Sequence, residues 1–311
     1  MTLLRTTDGT PAGRFAFGTM QFGGTADAAA SRAMFEACRA AGIVHFDTAY
    51  LYTDGASETL LGALAGPDRD ALLIATKVGY AGGASAANMR AQFDISRQRL
   101  GLDMVDALYL HRFDPDTDLR ETMACFAELK SQGLIRYVGL SNFAAWQVVK
   151  AAWIAAEFDM AIDLVQPMYS LVKRQAEVEI LPMCAGLGIT AATYSPLGGG
   201  LLTGKYLSGG SGRLSEDARY AARYAPGWMA EAAAGLTALA REMTTHPATL
   251  AVAWAAAHPT APVPILSARS TAQLEPSLAA LSTPMPAELY ARIAALSPAP
   301  PPATDRIEEQ T

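Results

Sequence analysis

The chain has 311 residues, 51% of them hydrophobic, and a formal net charge of −6 at pH 7. A chain with this net charge lacks the positive potential that would attract nucleic acid or an anionic membrane. No apolar run reaches the length of a membrane span. Residues 1–10 lack the apolar core of a signal peptide. The three cysteines, Cys38, Cys125 and Cys184, form no CxxC pair, so we expect reduced thiols in a cytoplasmic protein.

Short apolar runs alternate with longer amphipathic runs along the chain. The predicted strands cover residues 15–20, 43–47, 72–77, 104–110, 135–140, 162–166, 190–194 and 263–266. The predicted helices between them cover residues 28–41, 58–65, 87–100, 119–132, 144–156 and 176–187. A strand followed by a helix, repeated in this way, predicts a parallel sheet, and eight such units fit one α/β domain, a (β/α)8 TIM barrel.

Two regions depart from the alternation of strands and helices. Residues 198–227 form a long loop after strand seven that is rich in Gly, Ser, Arg and Tyr, and helical patterns at 228–243 and 247–257 follow it. Residues 297–311 are rich in Pro and charge, which predicts a disordered tail. We therefore expect a single barrel domain over residues 1–296, with a long loop after strand seven and extra C-terminal helices.

Ionisable side chains stand at the ends of successive strands, where a barrel of this type carries its active site. Strand two ends in Asp47 with Tyr52 shortly after it, strand three ends in Lys77, and His111 follows strand four. An ammonium lowers the pKa of a nearby phenol from about 10, a carboxylate keeps that ammonium charged, and a neutral imidazole can orient a carbonyl oxygen. With no evident nucleophile, the set favours reversible proton transfer to a carbonyl.

Six segments in this order resemble the aldo-keto reductase family, and together they extend over nearly the whole chain. They are FDTAYLY at residues 46–52, ATK at 75–77, LYLHR at 108–112, GLSNF at 139–143, QPMYS at 166–170 and YSPLG at 194–198. Ser57-Glu58 and the sequence LLG at residues 60–62 extend the first segment. The pattern is most similar to bacterial members, aflatoxin-aldehyde reductases and potassium-channel β subunits.

The resemblance implies that Tyr52 is the general acid in NADPH-dependent reduction of a small carbonyl substrate, with Asp47, Lys77 and His111 completing a tetrad. It also implies a nicotinamide site in which Ser141, Asn142 and Gln166 hold the carboxamide and Tyr194 stacks on the ring. Further cofactor contacts are implied for Gly18, Thr19 and Met20 from strand one, and for Ser195, Leu197, Gly200 and Lys205 around the pyrophosphate.

The segment at residues 267–274 resembles the segment that holds the adenosine 2′-phosphate in members of the family. Arg269 would pair with this phosphate through its planar guanidinium, and Gln273 would reach the ribose or adenine. This chain has Ser267 where members usually have Gly, and Pro276 and Ser277 where they commonly have an acidic residue and Asn. NADH is possible as a second cofactor. The expected preference for NADPH therefore depends mainly on Arg269.

Three other kinds of site fit the sequence less well. Residues 199–205 read GxxxxGK, but Tyr206 stands where a P-loop needs Ser or Thr. No GxGxxG follows the first strand, which disfavours a Rossmann dehydrogenase. A metal site of His45, Asp47 and His111 is disfavoured because His45 lies inside the strand, and we expect no metal.

Two functions other than a reductase remain open on the residues alone. One is a nicotinamide-sensing regulatory or binding subunit with little turnover, and the other is a metal-dependent barrel hydrolase. The complete tetrad favours the enzyme.

The substrate pocket is predicted from the loops after strands one, two, four and seven. It would be lined by Met20, Phe22, Tyr50, Arg112, Phe113 and Trp228. Aromatic walls favour aryl or apolar aldehydes, whereas Arg112 would suit an anionic or sugar-like group. The oligomeric state is left open.

Overall fold

A computed structural model describes residues 4–304 and 306. Eight parallel strands close into one barrel in sequence order, with the last strand hydrogen-bonded to the first. The strands are β1 (Ala16–Gly18), β2 (His45–Asp47), β3 (Leu73–Val78), β4 (Val105–Leu110), β5 (Ile135–Ser141), β6 (Leu164–Gln166), β7 (Thr190–Thr193) and β8 (Val263–Leu266). The predicted (β/α)8 barrel is confirmed.

Helices alternate with the strands, and the described residues form twelve of them. They are α1 (Ala28–Ala40), α2 (Ala56–Ala65), α3 (Ala86–Leu100), α4 (Leu119–Ser131), α5 (Ala145–Ala156), α6 (Ile180–Leu187), α7 (Arg213–Glu216), α8 (Ala218–Arg223), α9 (Gly227–Glu242), α10 (Pro247–Ala256), α11 (Thr271–Ala279) and α12 (Ala287–Ala294). The predicted loop after strand seven carries the short helices α7 and α8. Helix α6 begins later than predicted, because Gln175–Glu177 forms a separate 3-10 turn.

The strands are buried on both sides, which is why they appear in the sequence as apolar runs without alternation. Every residue of β3 and of β4 is buried. The barrel interior is filled by side chains such as Ala107, Tyr109 and Leu164, against which Leu4 and Ala12 of the N-terminal segment pack. The barrel is therefore a packed core, and space for a ligand is expected only at its rim.

Helix ends are set by local sequence. Asp27, Ser85 and Asp118 cap the starts of α1, α3 and α4 by accepting hydrogen bonds from backbone N–H groups in the first turn. Gly101 and Gly188 end α3 and α6 in the left-handed conformation, with φ of 65° and 69°. These caps fix short connections, so the carboxyl ends of the strands gather on one rim.

The predicted domain boundaries, one domain over residues 1–296 and a disordered tail over 297–311, stay a prediction. Residues 297–304 contain no helix or strand, and residues 305 and 307–311 lie outside the described residues. Within the described part of the chain, no helix is long and apolar enough to cross a bilayer. Cys38, Cys125 and Cys184 are buried free thiols.

Candidate active site

Strand register brings the predicted tetrad together. Asp47, the last residue of β2, pairs with Ala75 of β3, and Lys77 lies two residues further along the same strand. Because side chains alternate between faces, Asp47 and Lys77 project to the same side of the sheet. His111 follows β4 directly, and Tyr52 begins the 3-10 turn Tyr52–Gly55 after β2.

The buried ammonium of Lys77 is the centre of this group. Its Nζ forms an ion pair with Asp47 Oδ1 and donates hydrogen bonds to the Thr48 carbonyl oxygen (2.7 Å) and the Tyr52 hydroxyl (3.3 Å). The other Asp47 oxygen, Oδ2, accepts a hydrogen bond from Gln166 Nε2 at 2.9 Å. All three ammonium protons therefore have acceptors, and charge-assisted bonds fix Asp47, Lys77 and Tyr52 relative to one another.

Burial changes the expected behaviour of the phenol. It raises the pKa of Tyr52, and the Lys77 ammonium only partly offsets this effect. Lys77 thus acts on the pKa of Tyr52 in the expected direction, but burial outweighs it and the net shift is upward. Burial also lowers the pKa of Lys77, but Asp47 and Tyr52 outweigh it and the net direction is upward. At neutral pH the site holds a charged Lys77 beside a protonated Tyr52.

His111 is neutral at physiological pH. Burial lowers the pKa of its imidazole to about 3, and the charges of Lys77 and Arg112 add to this effect. The imidazole lies edge-on to the Tyr52 ring, with 5.9 Å between the ring centroids. Its Nδ1 has no hydrogen-bond partner within residues 4–304 and 306. The neutral donor inferred from the sequence therefore has a physical cause in burial.

The four residues predicted to hold the nicotinamide are joined to one another. Ser141 Oγ donates to the Gln166 carbonyl oxygen (3.1 Å), and Asn142 Nδ2 donates to the His111 carbonyl oxygen (2.9 Å). The Tyr194 hydroxyl donates to Asn142 Oδ1 at 2.8 Å. Asn142 has a left-handed backbone, with φ of 59°, a costly conformation for a residue other than Gly. Such strain is typical of functional loops.

A glycine-rich turn follows β7 and continues the site away from the tetrad. Gly199 and Gly200 have φ of 66° and 96°. A Cβ on Gly199 would lie 3.0 Å from both the Tyr220 and the Tyr224 ring, so the turn depends on glycine. Lys205, a short distance along the chain, forms no ion pair within the described residues. A cationic side chain beside a glycine turn suits a phosphate group.

Arg269, predicted to bind a 2′-phosphate, already contacts an acid. Its Nη2 forms an ion pair of 2.8 Å with Glu216 Oε2, at the end of α7. Its backbone N–H donates to Gln273 Oε1 at 3.3 Å. The sequence analysis did not single out Glu216, because only folding brings the long loop to the start of α11.

One cavity of about 690 Å³ extends from the tetrad to α11. Most of the predicted site residues line it. These are Gly18, Met20, Asp47, Tyr52, His111, Arg112, Ser141, Asn142, Gln166, Tyr194, Ser195, Leu197, Gly200, Lys205, Arg269 and Gln273. Lys77 lies behind Tyr52, fully buried.

Several lining residues were not predicted. They include Gln21, Leu51, Tyr80, Arg213, Tyr220 and Arg223. The abundance of Arg and Tyr in residues 198–227 was the available signal for the last three. Tyr80 stacks against Arg112, whose guanidinium carbon lies 4.7 Å from the ring centroid.

Besides Lys77, five predicted site residues lie outside the cavity lining. Thr19 is buried with its hydroxyl 2.8 Å from that of Ser57, and Phe22 is buried against Phe17. Tyr50 packs under Arg99. Thr19 was predicted to contact the cofactor, and Phe22 and Tyr50 to line the substrate pocket; none of the three lines this cavity, because side chains on neighbouring residues of a loop project in different directions.

The other two belong to the aromatic wall that was expected around the substrate. Phe113 packs against Phe143 and Trp146, and Trp228 is half-buried against the core. The aromatic residues that line the cavity are tyrosines instead, namely Tyr80, Tyr194 and Tyr220 together with Tyr52.

The alternative metal site is not assembled in this structure. Both carboxylate oxygens of Asp47 are engaged by Lys77 and Gln166. His45 is buried, and burial lowers its pKa to about 4. Among residues 4–304 and 306, no group of three or more His, Cys, Asp or Glu side chains is arranged to hold a metal ion.

The protein is a closed (β/α)8 barrel that carries Asp47, Tyr52, Lys77 and His111 at the carboxyl ends of its strands, beside one long cavity. The chain belongs to the aldo/keto reductase family, whose family model matches residues 14–298.

Relatives of known name support this membership. Aflatoxin B1 aldehyde reductase member 2 of Rattus norvegicus is 38% identical over 195 residues, which cover 61% of this chain and 53% of the relative. The chain thus matches about half the length of that protein. A probable voltage-gated potassium channel subunit beta of Oryza sativa subsp. japonica is 31% identical over 279 residues and 84% of each chain. The uncharacterized oxidoreductase YrpG of Bacillus subtilis (strain 168) is 30% identical over 308 residues, or 92% of this chain and 93% of YrpG.

Proposed function

We propose that this protein reduces aldehydes or ketones to alcohols with NADPH, and that Tyr52 is the general acid. One observation carries the proposal: Tyr52 lines the cavity, and its hydroxyl lies 3.3 Å from the Nζ of a fully buried Lys77. A protonated phenol beside a fixed ammonium can give up its proton, because the resulting phenolate is stabilised at once.

The lining fits a dinucleotide. Ser141, Asn142 and Gln166 offer amide and hydroxyl groups for a carboxamide, and Tyr194 offers a ring face. The glycine turn with Lys205 suits a pyrophosphate, and Arg269 suits a 2′-phosphate. When bound, NADPH supplies the hydride that reaches the carbonyl carbon.

Side chains of the protein would carry out the proton transfer. Tyr52 transfers its hydroxyl proton to the carbonyl oxygen as that oxygen gains negative charge. Lys77, kept charged by Asp47, stabilises the phenolate, and neutral His111 is placed to donate a hydrogen bond to the same oxygen. In the reverse direction the phenolate accepts the alcohol proton.

The charges at the cavity favour one substrate class. Arg112 and Arg223 line the cavity, and neither forms an ion pair with a carboxylate within the described residues. Tyr80 and Tyr220 stack on these guanidinium groups, with 4.7 Å and 5.1 Å between each guanidinium carbon and ring centroid. We therefore propose carbonyl compounds that carry a carboxylate, preferably with an aryl or other flat apolar body.

The test is NADPH oxidation, followed by absorbance, with benzaldehyde and 4-carboxybenzaldehyde as paired substrates. We expect aldehyde-dependent turnover, with a higher kcat/KM for the carboxylated substrate. Substitution of Arg112 by Met should remove most of that difference. Equal kcat/KM values would contradict the substrate class but leave the reductase intact.

A second candidate function is a nicotinamide-sensing subunit with little turnover. It is favoured by the similarity to the potassium channel subunit beta of Oryza sativa subsp. japonica, which extends over 84% of each chain. The same assay separates the two functions, because tight NADPH binding without oxidation across a panel of carbonyl compounds would support the subunit. We also propose that the protein is cytoplasmic, as expected from the sequence, and cell fractionation tests this location.

A further inference from the structure

The segment that presents Tyr52 is strained. The next three residues, Thr53, Asp54 and Gly55, all have left-handed backbones, with φ of 46°, 53° and 93°. Such a backbone is unfavourable for a residue other than Gly and persists only where the surroundings hold it. The position of the phenol therefore depends on contacts that fix this segment.

Arg99, near the end of α3, provides such contacts on both sides of Tyr52. Its Nη1 donates to the Tyr50 carbonyl oxygen at 2.8 Å and to Glu58 Oε2 at 3.2 Å. The guanidinium carbon also lies 4.7 Å from the centroid of the Tyr50 ring. One planar group thus ties the residues before and after the strained turn.

The contacts of Arg99 extend through Glu58 to β3, the strand that carries Lys77. Glu58 is fully buried, and its Oε1 accepts a hydrogen bond of 2.6 Å from the hydroxyl of Thr76, the neighbour of Lys77. A Cβ on Gly55 would overlap the Arg99 guanidinium. Glycine at this position therefore provides both the backbone conformation and the space for Arg99.

We propose that Arg99 is a positioning residue that sets the distance between the Tyr52 hydroxyl and Lys77 Nζ. Arg99 does not line the cavity, so it acts only through Tyr50 and Glu58. This inference rests on the proposed function, because it concerns the proton transfer from Tyr52.

The first test is Arg99→Met, with kcat and KM measured by NADPH oxidation and the cofactor Kd by fluorescence. A displacement of about 1 Å can cost about 100-fold in rate, so we expect kcat to fall about 10- to 100-fold. KM and the NADPH Kd should stay within about threefold, because the proposed cofactor contacts lie at strand one and after β5 to β8, and Arg99 hydrogen-bonds to none of them. Arg99→Lys, which keeps the charge beside Glu58, should recover part of the rate.

The solvent deuterium isotope effect on kcat gives a readout that a general loss of stability would not move. A misplaced phenol slows proton transfer, so the isotope effect should rise in Arg99→Met.

The matched control is Arg97→Met on the same helix. The Arg97 and Arg99 side chains are 25% and 26% exposed, and Arg97 pairs with Asp94 instead of with the Tyr52 segment. We expect wild-type kcat for Arg97→Met. If Arg99→Met does not fold because Glu58 is left unpaired, Glu58→Gln/Arg99→Met removes the charge and takes its place.

The outcomes separate the two proposals. Absence of turnover in the wild type contradicts the proposed function. Turnover in the wild type with unchanged kcat and isotope effect in a folded Arg99 variant overturns the positioning role alone. Equal losses in Arg97→Met and Arg99→Met overturn it as well, because the effect would then be a general one.

Discussion

Tyr52 is the residue on which the proposed chemistry depends, and Tyr52→Phe tests it directly. The change removes the proton donor but leaves the ring and its neighbours in place. General acid catalysis contributes about 10²–10⁴-fold, so we expect kcat to fall by that factor while the NADPH Kd hardly changes. The measurements are NADPH oxidation and fluorescence titration. Retention of more than about a tenth of kcat would assign the proton to another group.

Lys77→Met tests the ammonium. Burial already raises the pKa of Tyr52, and Lys77 opposes that effect. Without Lys77 the pKa of the phenol should rise further, so the phenolate becomes harder to form in either direction. We expect slower reduction. In alcohol oxidation, which needs the phenolate, we expect the rising limb of the pH–rate profile to move to higher pH.

A control is needed because Lys77→Met leaves the buried Asp47 without its ammonium. Asp47→Asn/Lys77→Met removes both charges and should move the rising limb in the same direction but less far, because Asp47 itself raises the pKa of Tyr52. Its folding is checked by circular dichroism. A profile that coincides with the wild type in both variants would contradict the role of Lys77.

At the scale of elements, the strap formed by residues 205–224 closes one side of the cavity. It is tied to the start of α11 by the ion pair between Glu216 and Arg269. A 2′-phosphate and the Glu216 carboxylate would compete for the same guanidinium. The ion pair between Glu216 and Arg269 would therefore link the preference for NADPH over NADH to the position of residues 205–224.

Arg269→Ala tests the cofactor preference. A charge-assisted hydrogen bond contributes about 1.5–3 kcal/mol, or about 10- to 150-fold in affinity. We expect wild-type protein to bind NADPH more tightly than NADH by a factor in this range, and the variant to lose most of the difference. Fluorescence titration gives the four dissociation constants. Equal affinities in the wild type would remove the assignment of NADPH and leave the reductase proposal standing.

Glu216→Gln should act in the opposite direction. Removal of the competing carboxylate frees Arg269, so NADPH affinity should rise several-fold while NADH affinity stays nearly constant. Glu231→Gln in α9, which removes an exposed acid elsewhere, is the control for net charge. A fall in NADPH affinity in Glu216→Gln would mean that the ion pair holds the strap over the bound cofactor.

At the scale of the whole molecule, buried histidines should make the fold sensitive to acid. Burial lowers the pKa of His45 to about 4 and that of His111 to about 3, whereas an unfolded histidine has a pKa of about 6.5. Below pH 6.5 the unfolded chain therefore binds more protons than the folded one, and stability falls as the pH falls. For His45 the loss begins near pH 6.5 and is complete near pH 4.

His45→Gln should flatten this decline. The difference in pKa for His45 corresponds to about 3 kcal/mol over that window. Thermal unfolding between pH 7 and pH 4 would show it as a smaller drop in Tm for the variant. Parallel Tm curves for the two proteins would mean that protonation of His45 does not limit acid stability.

The sequence by itself predicted the barrel, which the structure confirms, and the four residues proposed as a tetrad, which the structure brings together. Both follow from short-range patterns: apolar runs between amphipathic helices predict buried parallel strands, and polar residues at the ends of those runs meet on one rim. Asp47, Lys77 and His111 could be assigned because strand order alone makes them neighbours. The same reasoning placed Asn142 and Gln166 correctly at the cavity.

Only the tertiary structure decided the features that depend on burial and on contacts between distant segments. The direction of the Tyr52 pKa follows from desolvation, which no spacing of residues encodes. Arg99 meets Tyr50 across 49 positions and Arg269 meets Glu216 across 53. Phe22 and Trp228 turned to the core while Tyr80 and Tyr220 faced the cavity. The physical reason is that packing selects one direction for each loop side chain, and packing is a property of the whole fold.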